Sequence, residues 1–198
     1  KSQIGARKFW VVASTHKGEE EFVMAAHKKL KAEFPDLLTI LVPRHPARAE
    51  EIKNLLNGLN ISQRSQNQAI TNQTEIYLVD SLGELGLFYR LADFTFIGGS
   101  FLDIGGHNPF EAIKLDCAVI SARRGVFNFK EIYRLLEEKN ACVMVDSADE
   151  LVVAAKKFLS DENSRKEMSA RASAAIADSQ NISGNIVKKI DQLFMLNL

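Results

Sequence analysis

The chain has 198 residues, long enough for one substantial domain with its own core. Hydrophobic residues make up 46% and charged residues 25%, the make-up of a soluble globular protein, and Lys+Arg and Asp+Glu both count 25. That balance excludes a global field that would attract nucleic acid or an anionic membrane, and no apolar stretch approaches the roughly 20 residues of a membrane span.

The N-terminus, KSQIGARK, lacks the apolar core of a signal peptide and runs straight into FWVVAS. That start reads as a fragment cut ahead of a domain, or as a short natural terminus. Phe9–Ala13 is a short apolar run suited to a buried strand. After the turn STHKGEE, Glu19–Phe34 carries apolar residues at 22, 26, 30 and 34, one helical face, with His27 solvated among lysines. Leu38–Val42 is the next strand, closed by PRHP, and Ala47–Leu56 a second helix. Ile61–Arg64 reads as a polar edge strand, residues 69–74 as a loop and Glu75–Val79 as a strand. Asp80 or Ser81 caps a helix over Gly83–Leu91. Phe94–Ile97 is a strand ending in Gly98-Gly99-Ser100, and GGHNPFEAIKL a glycine-rich turn opening a helix, with Asn108 as cap and Pro109 in the first helical position. Strands at Ala118–Ser121 and Cys142–Val145 bracket a helix at Phe129–Lys139. Helices at Ala148–Leu159, Asn163–Asp178 and Ser183–Leu196 complete the chain. Cys117 and Cys142 lie in apolar runs and read as buried free thiols, ahead of a disulfide or a metal pair.

Short apolar strands alternating with amphipathic helices predict a Rossmann-like, doubly wound α/β domain with a parallel sheet covered on both faces. Ligands of such sheets bind at the carboxyl ends of the strands. Five polar clusters fall there: STHKGEE, PRHP, VDSLGEL, GGS and GGHNPFE, and they are expected to converge on one crevice.

Ser14, Thr15 and Gly18 precede a helix whose free N–H groups suit a phosphate, although capping and a solvated Lys17 explain the same residues. The turn is neither a Walker loop nor GxGxxG. In Pro43-Arg44-His45-Pro46 two prolines hold a guanidinium that can pair bidentately with an anion, with His45 beside it. Gly83 and Glu84 can set backbone against a flat base, or simply start a helix. Gly98, Gly99, Ser100, Gly105, Gly106, His107 and Asn108 allow close ligand approach, and Glu111 either complements the helix dipole or accepts both hydroxyls of a ribose. The turn Arg123-Arg124-Gly125, with Asn128, Phe129 and Lys130, flanks a sugar or is a surface-exposed basic turn.

Taken together, ASTHKGEE, PRHP, DSLGEL, FIGGS, GGHNPFEA and FNFKEI resemble, over about residues 7 to 190, the C-terminal half of the Kdo (3-deoxy-D-manno-octulosonic acid) transferases of lipopolysaccharide synthesis. The resemblance implies the C-terminal half of a GT-B glycosyltransferase, a single nucleotide-sugar domain over residues 1–198 that binds CMP-Kdo for transfer to a lipid A precursor. It puts Ser14, Thr15 and Gly18 at the donor phosphate or sugar, Arg44 and His45 on the anionic donor with Arg44 stabilising the leaving group, Gly83 and Glu84 at the cytosine, and Gly98, Gly99 and Ser100 along the crevice. It puts Gly105, Gly106, His107 and Asn108 by the phosphate and Glu111 at the ribose. It implies no cofactor and no metal, and no nucleic acid as partner. The acceptor site, the catalytic base and the membrane association at the cytoplasmic face of the bacterial inner membrane belong to an N-terminal domain not in this chain, so the chain alone is expected to be inactive. Where the family often reads Gly-Pro-His-Thr, residues 121–126 read SARRGV, which departs from its pattern. The rival readings are a GT-B enzyme using a UDP-sugar, such as a lipid disaccharide synthase or an epimerase, and a Rossmann-like module that binds a protein partner and no donor.

Overall fold

The computed structural model describes residues 2–177. Its sheet has seven strands: β1 Phe9–Thr15, β2 Leu38–Pro43, β3 Ile61–Gln63, β4 Ile76–Leu78, β5 Phe94–Ile97, β6 Ala118–Ala122 and β7 Val143–Val145. All pairings are parallel, in the order β3-β4-β2-β1-β5-β6-β7. The helices are α1 Glu19–Lys31, α2 Ala49–Leu55, α3 Leu85–Leu91, α4 Phe110–Lys114, α5 Lys130–Glu138 and α6 Ala148–Ser160. A further helix, α7, runs over residues 162–177. This is the doubly wound α/β architecture that the sequence pattern predicts.

Because successive strand residues face opposite sides, each strand feeds two cores. Trp10 and Val12 of β1 pack with Val23, Ala26 and Leu30 of α1, Ile52 of α2, and Leu151, Ala155 and Phe158 of α6. Val11 and Ala13 face the opposite core with Phe88 of α3, Ala112 and Ile113 of α4, and Tyr133 and Leu136 of α5. Burial on both faces explains why the central strands read as apolar runs without alternation.

Several local expectations are corrected. His27 is fully buried, not solvated: its Nδ1 lies 2.8 Å from Thr39 Oγ1, which also accepts the Trp10 indole N–H at 2.6 Å. The helix turns this position to the sheet beside Ala26 and Leu30, while the lysines around it point out. The apolar face of α1 is centred on Val23, Ala26 and Leu30, leaving Phe22 at the surface to stack on Phe101. A 3-10 turn, Pro46–Arg48, precedes α2, so the second helix starts at Ala49. Neither Asp80 nor Ser81 caps α3, which begins at Leu85; Asp80 instead accepts from Gln63 and Ser65. Asn108 Oδ1 does accept the Phe110 N–H at 2.9 Å, but Pro109 precedes the first helical residue and α4 is only five residues long. Cys117 and Cys142 are buried free thiols just before β6 and β7, and burial pushes the Cys142 thiol up to about 12. The helix expected at 183–196 lies outside the described residues.

Candidate functional site

From β1 the chain winds to β2, β3 and β4 on one side, then returns across the sheet to β5 on the other. The connections leaving β1 and β5 therefore diverge, and a crevice opens at their carboxyl ends.

The turn after β1 forms one wall. Ser14 bulges out of the β1–β2 ladder with φ +56°, a left-handed conformation that a serine adopts only at a cost. Gly18, at φ +98°, leads into α1. Thr15 is fully buried and its hydroxyl donates to Glu20, whose carboxylate also pairs with Arg48 at 2.9 Å. The expectation that Thr15 faces a ligand is thus corrected: its hydroxyl is committed inside the turn.

Glu19, which the sequence reading passed over, organises the opposite wall. Its Oε2 accepts the backbone N–H groups of His16 and Gly99, at 3.0 and 2.6 Å, and its Oε1 those of Ser100 and Phe101, both at 2.9 Å. The N–H of Gly98 goes to Ala13 O at 2.7 Å. The backbone donors of Gly98, Gly99 and Ser100 are therefore spent on the protein. Ser100 is fully buried, with its hydroxyl donating to Ile97 O and accepting the Ala122 N–H, so it does not line the crevice. The glycines serve close packing. A Cβ on Gly98 would lie 2.9 Å from Ser14 O, and one on Gly99 2.9 Å from the His107 ring. Gly105 and Gly106 are also buried: the first abuts the Asn128 side chain, and the second donates to Gly99 O at 2.9 Å.

Three imidazoles meet across the crevice. His16 Nε2 and His107 Nε2 are 3.0 Å apart, with the rings stacked at a centroid distance of 5.2 Å. His45 sets its ring at right angles to His16, 5.5 Å away. Burial draws His107 down to about 4, and the nearby His16, Arg44 and His45 push the same way. Burial also lowers His16, although Glu19 opposes it. Arg44 donates its backbone N–H to Thr15 O at 3.0 Å, which ties PRHP to the β1 turn, and its side chain is exposed without an ion pair among the described residues. The exposed Arg44 guanidinium is thus left beside His16 and His107, whose charged forms burial disfavours.

Asn108 continues from His107 into an open cleft of about 740 Å³ between α3 and α4, lined by Gly86, Leu87, Arg90, Phe110, Glu111 and Lys114 among others. Its volume falls within the range of small-molecule sites. The exposed Glu111 carboxylate lies against the first turn of α3, where a Cβ on Gly86 would come within 2.9 Å of Oε1. Gly83 is exposed at φ +80°. The carboxylate of Glu84 is taken by Arg64, at 2.6 Å, and by the Ser81 hydroxyl, and these partners hold it down at about 2. The Leu82 side chain and Gly83 are what that turn leaves exposed.

The basic turn is surface-exposed and charge-paired. Arg123 pairs with Glu137 at 2.8 Å and Arg124 with Asp103 at 2.8 Å. Asn128 packs against Gly105. Among the described residues no group of three or more His, Cys, Asp or Glu is arranged to hold a metal ion, and no helix is long and apolar enough to cross a membrane.

The fold overlays the crystal structure of the C-terminal CMP-Kdo binding domain of WaaA from Acinetobacter baumannii with a TM-score of 0.81 and 33% identity, covering 87% of this chain and 91% of that one. The chain belongs to the Kdo transferase family. Within that family its structural match is the C-terminal domain of WaaA. The 3-deoxy-D-manno-octulosonic acid transferase of Haemophilus influenzae is 40% identical over 165 residues, 82% of this chain and 38% of that protein. The chain thus spans about two fifths of the length of that relative. The C-terminal domain of a group 1 glycosyl transferase from Francisella tularensis shares the fold alone, with a TM-score of 0.59 at 17% identity. No protein-family model matches the chain.

Proposed function

We propose that this domain binds CMP-Kdo and presents it for transfer to a lipid A precursor, as the donor half of a Kdo transferase. The observation that carries this reading is the junction of two sub-sites. Arg44 and His45 share a loop, the His45 and His107 rings both pack on His16, and Asn108, next to His107 in the chain, lines the cleft walled by Glu111. A nucleoside monophosphate fits that order, with phosphate at the arginine, ribose at Glu111 and cytosine against the backbone at Gly83. Likeness to a CMP-Kdo binding domain at 33% identity supports the choice of donor.

In this reading Ser14, Gly18, Arg44, His45, His107 and Asn108 surround the phosphate and the Kdo carboxylate. Glycosyl transfer needs the departing phosphate stabilised and an acceptor hydroxyl deprotonated. Arg44 serves the first need as a preorganised positive charge. The second needs a base held at the acceptor, and we place that base in an N-terminal acceptor domain outside these residues, together with membrane association at the cytoplasmic face of the inner membrane. The domain alone then binds donor without turning it over.

A residue-resolved NMR titration with CMP, and with UMP in parallel, tests the reading. Shifts from CMP are expected at residues 14–18, 44–45, 81–86 and 105–111, with weaker shifts from UMP. Equal or stronger binding of UMP would favour a UDP-sugar donor, and no saturable shift with either nucleotide would remove the donor site altogether.

A further inference from the structure

The His16–His107 contact is more than two polar groups near an anion site. With Nε2 atoms 3.0 Å apart, one nitrogen donates a proton and the other accepts it. The accepting ring therefore carries its own proton on Nδ1. A second charge on the pair would set two N–H groups head to head, so the geometry admits the neutral pair or one shared positive charge and excludes two. The groups acting on the pair are Glu19 on the same turn, Arg44 and His45 on the loop after β2, and Arg48 behind them. The one carboxylate among them already accepts four backbone N–H groups. Burial and the positive charge of Arg44 and His45 disfavour charge on the pair, and at His16 Glu19 opposes them.

We infer that His16 and His107 form a one-proton sensor of phosphate charge: the pair takes up a single proton when the dianionic phosphate of a nucleoside monophosphate enters the crevice, and so grips the monophosphate more tightly than a singly charged phosphodiester. This rests on the donor-binding reading above and adds a role in it. Transfer converts a phosphodiester into a monophosphate, so charge grows at the phosphate as the glycosidic bond breaks. A proton drawn onto the pair at that stage stabilises the departing anion selectively, which is the form of binding that speeds a reaction. The proton comes from solvent and is released when the monophosphate leaves.

Calorimetric titration of CMP into the domain at pH 7.5, in buffers of different ionisation enthalpy, reads the proton directly. Uptake of roughly half to one proton per CMP bound is expected, and none for cytidine, which lacks the phosphate. His107→Gln and His16→Gln should each abolish the uptake while weaker CMP binding persists. NMR of the imidazole rings in the unsubstituted chain provides a second readout, with the His16 and His107 resonances moving toward the protonated form on CMP addition. CMP binding with no proton uptake and no ring protonation overturns the sensor and leaves the donor site standing. Uptake that survives both substitutions also overturns it, and failure of CMP to bind at all overturns the sensor together with the reading beneath it.

Discussion

The carboxylate of Glu19 accepts the backbone N–H of Gly99 at 2.6 Å, a contact that spans 80 positions of sequence. It ties the turn after β1 to the turn after β5, the two loops that flank the switch point of the sheet. Ser100 and Phe101 add two more N–H groups to the same carboxylate. An acidic residue in the first turn of a helix complements the dipole in any protein. Here it also serves as the internal anion around which the β5 turn folds.

Glu19→Ala leaves four backbone N–H groups, three of them buried, without their acceptor. A loss of about 2–4 kcal/mol in folding stability is expected from urea unfolding. CMP binding should fall with it, because His107 is positioned by the same turn.

Arg44→Ala should separate function from stability. The side chain is exposed and carries no ion pair among the described residues, so the melting temperature should stay within about a degree. CMP affinity should drop about 10- to 100-fold, the worth of a hydrogen-bonded charge pair. An affinity change under about twofold would remove Arg44 from the phosphate site.

Glu111 is expected to read the ribose. CMP should bind the unsubstituted domain more tightly than 2′-deoxy-CMP, by about 10- to 100-fold, the range of one charge-assisted hydrogen bond. In Glu111→Ala the difference should vanish, since the acceptor of the 2′-hydroxyl is gone. A preference that persists in the variant assigns ribose recognition elsewhere. Gly86→Ala offers a gentler probe, because its Cβ would crowd the same carboxylate from the α3 side.

Stability should fall on mild acidification through His27. Burial draws its folded-state value to about 4, whereas an imidazole in the unfolded chain titrates near 6.5. Between those values the unfolded state binds the extra proton, so stability is full above about pH 6.5 and declines as the pH drops toward 4. The loss across the window is on the order of 3 kcal/mol. His107, also drawn to about 4, tilts the curve the same way. His27→Gln should flatten the dependence of melting temperature on pH between 7 and 5, and an unchanged slope would shift the effect to other groups.

The strands were legible because both faces of a parallel sheet are buried, which leaves runs such as Val11–Ala13 and Val119–Ile120 that period and length alone identify. Of the five polar clusters, STHKGEE, PRHP, GGS and GGHNPFE are joined by contacts among His16, His45, Glu19, Gly99 and His107, whereas Asp80 and Glu84 of VDSLGEL turn to Gln63, Arg64 and Ser65. Exact helix starts were not legible. Glu84 faces Arg64 across 20 positions, and that pairing, invisible to local spacing, accompanies a start of α3 beyond Gly83. His27 shows the same limit, because lysines on either side disguised a position that the helix turns inward toward Thr39. The same holds for His16, whose partner His107 lies 91 positions away.

By itself the sequence determined the α/β winding, the polar clusters at the strand ends and the motif order of the Kdo transferase family. The first two follow from hydrophobic period and from residues adjacent in the chain, the third from the resemblance of its motifs to that family. Tertiary structure decided which polar groups stay open at the crevice. Thr15, Glu19, Glu84 and Ser100 spend their hydrogen bonds on the protein, while Arg44, Glu111 and the His16–His107 pair remain at the opening. The reason is saturation: a buried polar group must find a partner. Whether that partner is a distant backbone amide or a ligand depends on what the fold brings within about 3 Å of it.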